Sequence, residues 1–289
     1  MAPRKKLDEP DIEKMIRKLE ASPAYRVAYE DREFIGEDFM RPVRLQLELL
    51  KPERLLERHG ITSTIVCFGG TRIVEPSVAR QRVKQLEQQL KKSPSNKKIA
   101  KQLQIAKAIE QKSPFYDEAR KFGQIVTKAS QNDHHEFVIV TGGGPGIMEA
   151  SNRGAYDVGG KSIGLNITLP MEQRPNAYIS PELCLQFHYF ALRKMHFMLR
   201  AKALVAFPGG YGTLDEVFEA LTLVQTLKVK PLPIILFGER FWKKLINFDF
   251  LVDEGTIDPE DVSLFVYKDT AVEAWDYIKY FYKNELDQR

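Results

Sequence analysis

What is scarce in this chain of 289 residues narrows the field first. Only two cysteines occur, Cys67 and Cys184. Neither a disulfide framework nor a cysteine-based metal cluster can be assembled from them, and a reducing compartment is implied. No apolar run reaches the roughly 18 residues of a membrane-crossing helix. The opening Met-Ala-Pro-Arg-Lys-Lys leads into charge rather than an apolar leader core, so a cytoplasmic protein with no membrane partner is expected. An excess of one charge is lacking too. The 43 basic and 39 acidic residues leave a formal +4, too mild by itself to argue for nucleic acid. Histidines number five. The pair His134-His135 has no third ligand at useful spacing, so no metal is expected. Internal repeats and low-complexity tracts are absent. With 43% hydrophobic and 28% charged residues, the composition is that of a globular protein able to bury a full core.

What is present is alternation. Apolar runs at residues 64–68, 137–140, 161–168, 184–190, 203–207, 232–237 and 262–266 read as strands, separated by stretches of helical periodicity. Strands alternating with helices predict an α/β fold, a Rossmann-like doubly wound and mostly parallel sheet. Residues 1–60 are polar and helical and form an N-terminal extension to a main domain at 61–289. Within that domain, residues 78–112 comprise two helical stretches rich in Lys, Arg and Gln, joined by Ser93-Pro-Ser-Asn96. They predict an inserted antiparallel helical hairpin. It is read as a solvated arm or an oligomer contact rather than a nucleic-acid surface.

Glycine gathers at the strand ends. Gly69-Gly-Thr-Arg72 follows the first strand. Gly142-Gly-Gly-Pro-Gly146 follows the second and opens a helix with Ile147-Met-Glu149. Pro208-Gly-Gly-Tyr-Gly212 follows the run 203–207. Thr213 reads as the start of the next helix, and Glu216, three residues on, completes the sequence form of a capping box. A glycine turn between a strand and a helix N-terminus leaves backbone N–H groups unpaired at the positive end of the helix dipole, which suits an anion. In an open parallel sheet, ligands bind outside the carboxyl ends of the strands. Two such loops point to a nucleotide or a phosphorylated ligand. Neither has the G-x-G-x-x-G order and no lysine stands in P-loop position, so hydride transfer and nucleoside triphosphate hydrolysis are disfavoured.

The stretches Gly142-Gly-Gly-Pro-Gly-Ile-Met-Glu149 and Pro208-Gly-Gly-Tyr-Gly-Thr-Leu-Asp-Glu216, with the helical pair Arg193-Lys194, resemble the signatures of the Lonely guy family. These are cytokinin-activating phosphoribohydrolases long labelled possible lysine decarboxylases. Every fixed position of the second signature, P-G-G-x-G-T-x-x-E, is present. Asp215 stands where many members carry the first of two glutamates. The resemblance covers about residues 62–285. Residues 1–60 and the hairpin exceed the compact family pattern and suggest a longer subgroup. The resemblance implies hydrolysis of the N-glycosidic bond of a nucleoside 5′-monophosphate, a cytokinin riboside monophosphate or AMP, giving free base and ribose 5-phosphate. It implies no cofactor, a small-molecule nucleotide as partner and a homo-oligomer of at least two chains. It assigns catalysis to Glu216 and Arg193, and phosphate binding to Gly209, Gly210, Gly212 and Thr213. Gly143, Gly144 and Gly146 then line the opposite wall, and Met148, Glu149 and Lys194 contact the nucleotide. The chemistry agrees with these residue types, because cleavage through an oxocarbenium-like ribosyl species needs a carboxylate to stabilise the cation or orient water.

Other readings of the same residues stay open at the level of sequence. Glu216 as a cap alone, Arg193 as a surface arginine, and His188 and His196 as packed or polar-face histidines are the plainer accounts. Lys194 as a Schiff-base lysine lacks a recognisable phosphate cup and pyridinium partner. The alternative function is a non-catalytic carrier binding a nucleotide or a pterin cofactor. A nucleic-acid role through the hairpin is a third. The direction of Glu216 discriminates, since a side chain folded back onto the Thr213 N–H is unavailable to ribose.

Overall fold

The computed structural model of the chain describes residues 8–130, 136–170 and 174–287. Two compact units divide it, Met1–Lys51 and Pro52–Arg289. The first holds α1 (Glu9–Glu20) and the short α2 (Arg32–Gly36), and α3 (Arg41–Arg58) begins within it. Side chains start both of the first two helices: the Asp8 carboxylate accepts from the Asp11 N–H and that of Asp31 from the Glu33 and Phe34 N–H groups. These are cap bonds, satisfying amides that the helix itself leaves unpaired.

The second unit is built on seven strands: β1 (Thr64–Phe68), β2 (Val138–Thr141), β3 (Ser162–Ile167), β4 (Cys184–Phe187), β5 (Ala201–Ala206), β6 (Ile234–Phe237) and β7 (Phe265–Lys268). They pair in the order β4-β3-β2-β1-β5-β6-β7, and every pairing is parallel. The expected doubly wound sheet is therefore present. The helices are α4 (Pro76–Lys92), α5 (Lys97–Lys112), α6 (Pro114–Ser130), α7 (Ile147–Asp157), α8 (Phe190–Leu199), α9 (Tyr211–Gln225), α10 (Glu239–Leu245), α11 (Phe248–Asp253) and α12 (Ala271–Asp287).

Strand side chains alternate between two cores. Ile65, Cys67, Ile139, Val205 and Ile235 pack with α6, α7 and α12 on one face. Val66, Phe68, Val140, Leu204 and Leu236 pack with α8, α9 and α10 on the other. The central strands are buried on both faces, so they read as continuous apolar runs. Trp242, wholly buried, donates its indole N–H to the carbonyls of Ala206 (3.1 Å) and Phe237 (3.0 Å), tying the ends of β5 and β6 together. The expected hairpin is α4 and α5, closed over its own small core of Val83, Leu86 and Ala106. Asn96 in its turn caps α5 by accepting from the Lys98 and Ile99 N–H groups.

Two expectations are corrected. The last strand lies at Phe265–Lys268 and not at 262–266. A 3-10 turn, Pro259–Leu264, takes residues 262–264 because Asp258 and Asp261 close a reciprocal capping box there. The other capping box, Thr213 with Glu216, is absent. Helix α9 begins at Tyr211, and its cap residue, Gly210, has no side chain to close it. Thr213 is already in the first turn, its N–H donating to the Gly210 carbonyl at 3.0 Å.

Candidate active site

Strand order reverses between β1 and β5, and the crevice outside their carboxyl ends is the topological switch point. The turn after β1 is stitched to both glycine loops there. The Gly70 N–H donates to the Pro208 carbonyl (2.9 Å), and the Gly70 carbonyl accepts from the Ile147 N–H (3.3 Å). The loop opening α7 is shaped by backbone that only glycine adopts easily. Gly143 has φ +73° and Gly146 φ +75°; a Cβ on Gly146 would lie 2.4 Å from the Gly70 carbonyl oxygen.

The wall formed by Gly143 and Gly144 is held by its own hydrogen bonds. The Gly143 N–H donates to the Thr141 hydroxyl (3.0 Å), which donates to Asn152 Oδ1 (2.7 Å). Asn176 Nδ2 donates to the carbonyls of Gly143 (3.2 Å) and Gly144 (3.1 Å) and to Asn152 Oδ1 (3.0 Å). The Gly143 amide is thus engaged within the protein, and it supports the loop instead of presenting a free donor. Asn152 and Asn176 escaped the sequence reading. No motif marks them, and their partners lie up to 33 residues away.

The second glycine loop is open. A Cβ on Gly210 or on Gly212 would meet nothing within 4 Å, while Gly209 is covered by the Thr213 hydroxyl. The mouth of α9 therefore has room for a ligand at Gly210 and Gly212.

Helix α8 supplies the cations. The Arg193 guanidinium lies against Gly142, where an added Cβ would stand 2.8 Å from Nη2 and 3.0 Å from the Met148 sulfur. It also sits near the rings of Phe190 (5.8 Å) and Phe197 (5.4 Å). Its Nε is buried with no hydrogen-bond partner among the described residues. Burial holds the guanidinium below its ordinary pKa, against the attraction of Glu216 and Asp215. An unpaired buried donor of this kind is costly and awaits an acceptor.

Helix α9 supplies the acids. Glu216 is buried, with 7% of its surface exposed. Desolvation pushes its carboxyl up to about 8; Glu219 and Asp215 add to the rise, and Lys194 and Arg193 oppose it. Because α9 starts at Tyr211, Glu216 has no part in capping and belongs to this charged cluster. Lys194 Nζ lies 2.8 Å from Asp215 Oδ1 and 3.3 Å from Glu219 Oε2.

The structure thus brings together Arg193, Met148, Gly142 and Glu216, with Lys194 beside them. Glu149 is drawn into another network: its Oε1 accepts from the Tyr116 hydroxyl at 2.8 Å, and Arg153 Nη1 reaches both that hydroxyl (3.4 Å) and Glu75 (3.0 Å). His196 is buried with its Nδ1 3.3 Å from Glu53 Oε1, and the His188 ring meets that of Tyr189 edge-on. His134 and His135 lie outside the described residues. A cavity of about 630 Å³ runs from Glu219 and Met195 to Lys202 and Pro231, towards the amino ends of β5 and β6 and away from the glycine loops. Among the described residues no helix is long and apolar enough to cross a membrane.

The family model described as "Possible lysine decarboxylase" matches residues 148–278, a stretch that holds Arg193 and Glu216 and begins just after the 142–146 loop. The resemblance to the Lonely guy family holds. A probable cytokinin riboside 5′-monophosphate phosphoribohydrolase of Oryza sativa subsp. japonica is 29% identical over 148 residues, 48% of this chain and 66% of its own length. A cytokinin riboside 5′-monophosphate phosphoribohydrolase of Arabidopsis thaliana is 29% identical over 140 residues, 47% of this chain and 63% of its own. The chain spans less than two thirds of the length of these curated relatives. Among solved structures, a Moco carrier protein from Chlamydomonas reinhardtii shares 21% identity over 59% of this chain and 89% of its own, with a TM-score of 0.40.

Proposed function

We propose that this Lonely guy-like chain hydrolyses the N-glycosidic bond of a nucleoside 5′-monophosphate of the adenine type, AMP or a cytokinin riboside monophosphate, to free base and ribose 5-phosphate. The observation that carries the reading is the pairing of a buried glutamate, raised to about 8, with a desolvated arginine whose Nε has no hydrogen-bond partner among the described residues. The pair sits at the switch point, beside an open helix mouth. The 5′-phosphate binds at the amino end of α9, by Gly210 and Gly212, where the helix dipole favours an anion. Arg193 takes a phosphate or ribose oxygen as the missing acceptor of its Nε.

Glu216 in its ionised form stabilises positive charge developing at C1′ and accepts the proton of the attacking water. The C1′–N bond breaks, its electron pair leaves with the base, and the base takes up a proton. A base with its pKa near the working pH is suited to this exchange. Because the carboxyl is protonated below about 8, kcat/KM rises with pH through that value. The test is to incubate the protein with AMP and with isopentenyladenosine monophosphate and measure released base. Release from at least one is expected, with a loss of about 100-fold or more in Glu216→Gln. Folded protein that releases base from neither, or that binds both and returns them intact, overturns the reading.

A further inference from the structure

Lys194 follows Arg193 in α8, yet its ammonium has different surroundings. It lies 2.8 Å from Asp215 and 3.3 Å from Glu219, with its side chain 19% exposed. Those two acids stand one residue before and three residues after Glu216, so three carboxyl groups share neighbouring positions of one helix. Like charges at such spacing repel. The groups that act on Glu216 are Arg193 and Lys194 from α8 and Asp215 and Glu219 from α9 itself. Arg193 has a buried Nε with no hydrogen-bond partner among the described residues, whereas Lys194 is in ion-pair range of two carboxylates.

We propose that Lys194 is a positioning residue: its ammonium bridges Asp215 and Glu219, offsets one of the two negative charges flanking Glu216, and leaves Glu216 as the one acid of the cluster that answers to the substrate, without itself contacting the nucleotide. This rests on the phosphoribohydrolase reading for its effect on turnover, but not for its effect on Glu216. These two ion pairs hold the ammonium over the outer face of α9 before any ligand arrives. The bridge also fixes the first two turns of α9, from which Glu216 projects.

The test compares Lys194→Met and Lys194→Arg with the parent protein by three measurements: kcat/KM across a pH series, AMP affinity by calorimetry, and titration of Glu216 by carbon-13 carboxyl NMR, assigned with Glu216→Gln. Removing a cation whose attraction holds the Glu216 carboxyl down raises that carboxyl by about one pH unit or more. In Lys194→Met both the NMR titration and the alkaline-going limb of kcat/KM move up by that amount. Neutral-pH kcat/KM falls about tenfold, AMP affinity stays within about twofold, and Lys194→Arg restores the profile. A tenfold loss of AMP affinity with an unmoved profile makes Lys194 a nucleotide ligand and overturns the proposal. An unmoved NMR titration overturns it as well. If the parent protein releases no base, the reaction fails, while the NMR titration still decides the role of Lys194. If Lys194→Met does not fold, Glu219→Gln serves instead. By removing a like charge and freeing the ammonium, it lowers the Glu216 titration, and no change there refutes the bridge.

Discussion

Replacing Glu216 by glutamine stabilises the fold at alkaline pH, and the gain can be worked from the site. The carboxyl ordinarily titrates at 4.5 and is held at about 8 in the folded chain, with burial the largest cause. The folded protein therefore grips this proton more tightly than the unfolded one. Stability is intact below pH 4.5, falls as pH climbs from 4.5 to about 8, and is level above. At about 1.4 kcal/mol for each pH unit in that interval, the upper bound on the loss is about 5 kcal/mol. Relaxation and water penetration around a charged carboxylate reduce this to roughly 2 kcal/mol or somewhat more. Glutamine keeps the shape and carries no charge, so it recovers that amount above pH 8 and almost nothing below pH 4.5. For a domain of this size, ~2 kcal/mol corresponds to a rise in Tm of about 4–8 °C. Differential scanning calorimetry of both proteins at pH 9 and pH 5 is the assay. The diagnostic quantity is the difference between the two pH values, since any packing change from the substitution appears at both. An equal Tm change at pH 5 and pH 9, or a lower Tm for the variant at pH 9, refutes the picture of a strained buried carboxyl.

Two further outcomes bear on the glycine loops. Gly146→Ala places a side chain on backbone at φ +75° with its Cβ 2.4 Å from the Gly70 carbonyl oxygen, so a loss of at least ~2 kcal/mol is expected in urea unfolding. Asn176→Ala leaves the carbonyls of Gly143 and Gly144 without their side-chain donor; a stability loss of about 1–3 kcal/mol and weaker AMP binding by calorimetry are expected, and unchanged values for both would show that the loop holds its shape without it.

The sheet was legible because its central strands are buried on both faces and therefore appear as short apolar runs, those of β1, β2, β5 and β6 closed by glycine or proline. The hairpin was legible for a related reason: its apolar seam repeats at helical spacing between long polar stretches. Boundaries were less so. Thr213 and Glu216 have the spacing of a capping box, but Gly210 lets the chain enter the helix at Tyr211, which leaves Thr213 one turn too deep to cap. Asp258 and Asp261, by contrast, do form such a box and pull residues 262–264 out of the last strand. Pattern alone cannot separate the two cases, because whether a side chain caps depends on the backbone angles of the residue before it. In the site, Arg193 and Glu216 were found through motifs. The bonds of Asn176 to a loop more than thirty residues away, and the two carboxylates around Lys194, arise only when the helices and strands are packed.

The stitch at Gly70 has a kinetic consequence. Its amide holds one glycine loop and its carbonyl the other, so neither wall of the crevice can swing without breaking a bond to the floor between them. On the proposed reaction, dipoles fixed in this way are already oriented when charge appears on a bound ligand, so little reorganisation energy remains for bond cleavage. For the proposed hydrolysis, loops held in this way make the departure of products the expected slow step.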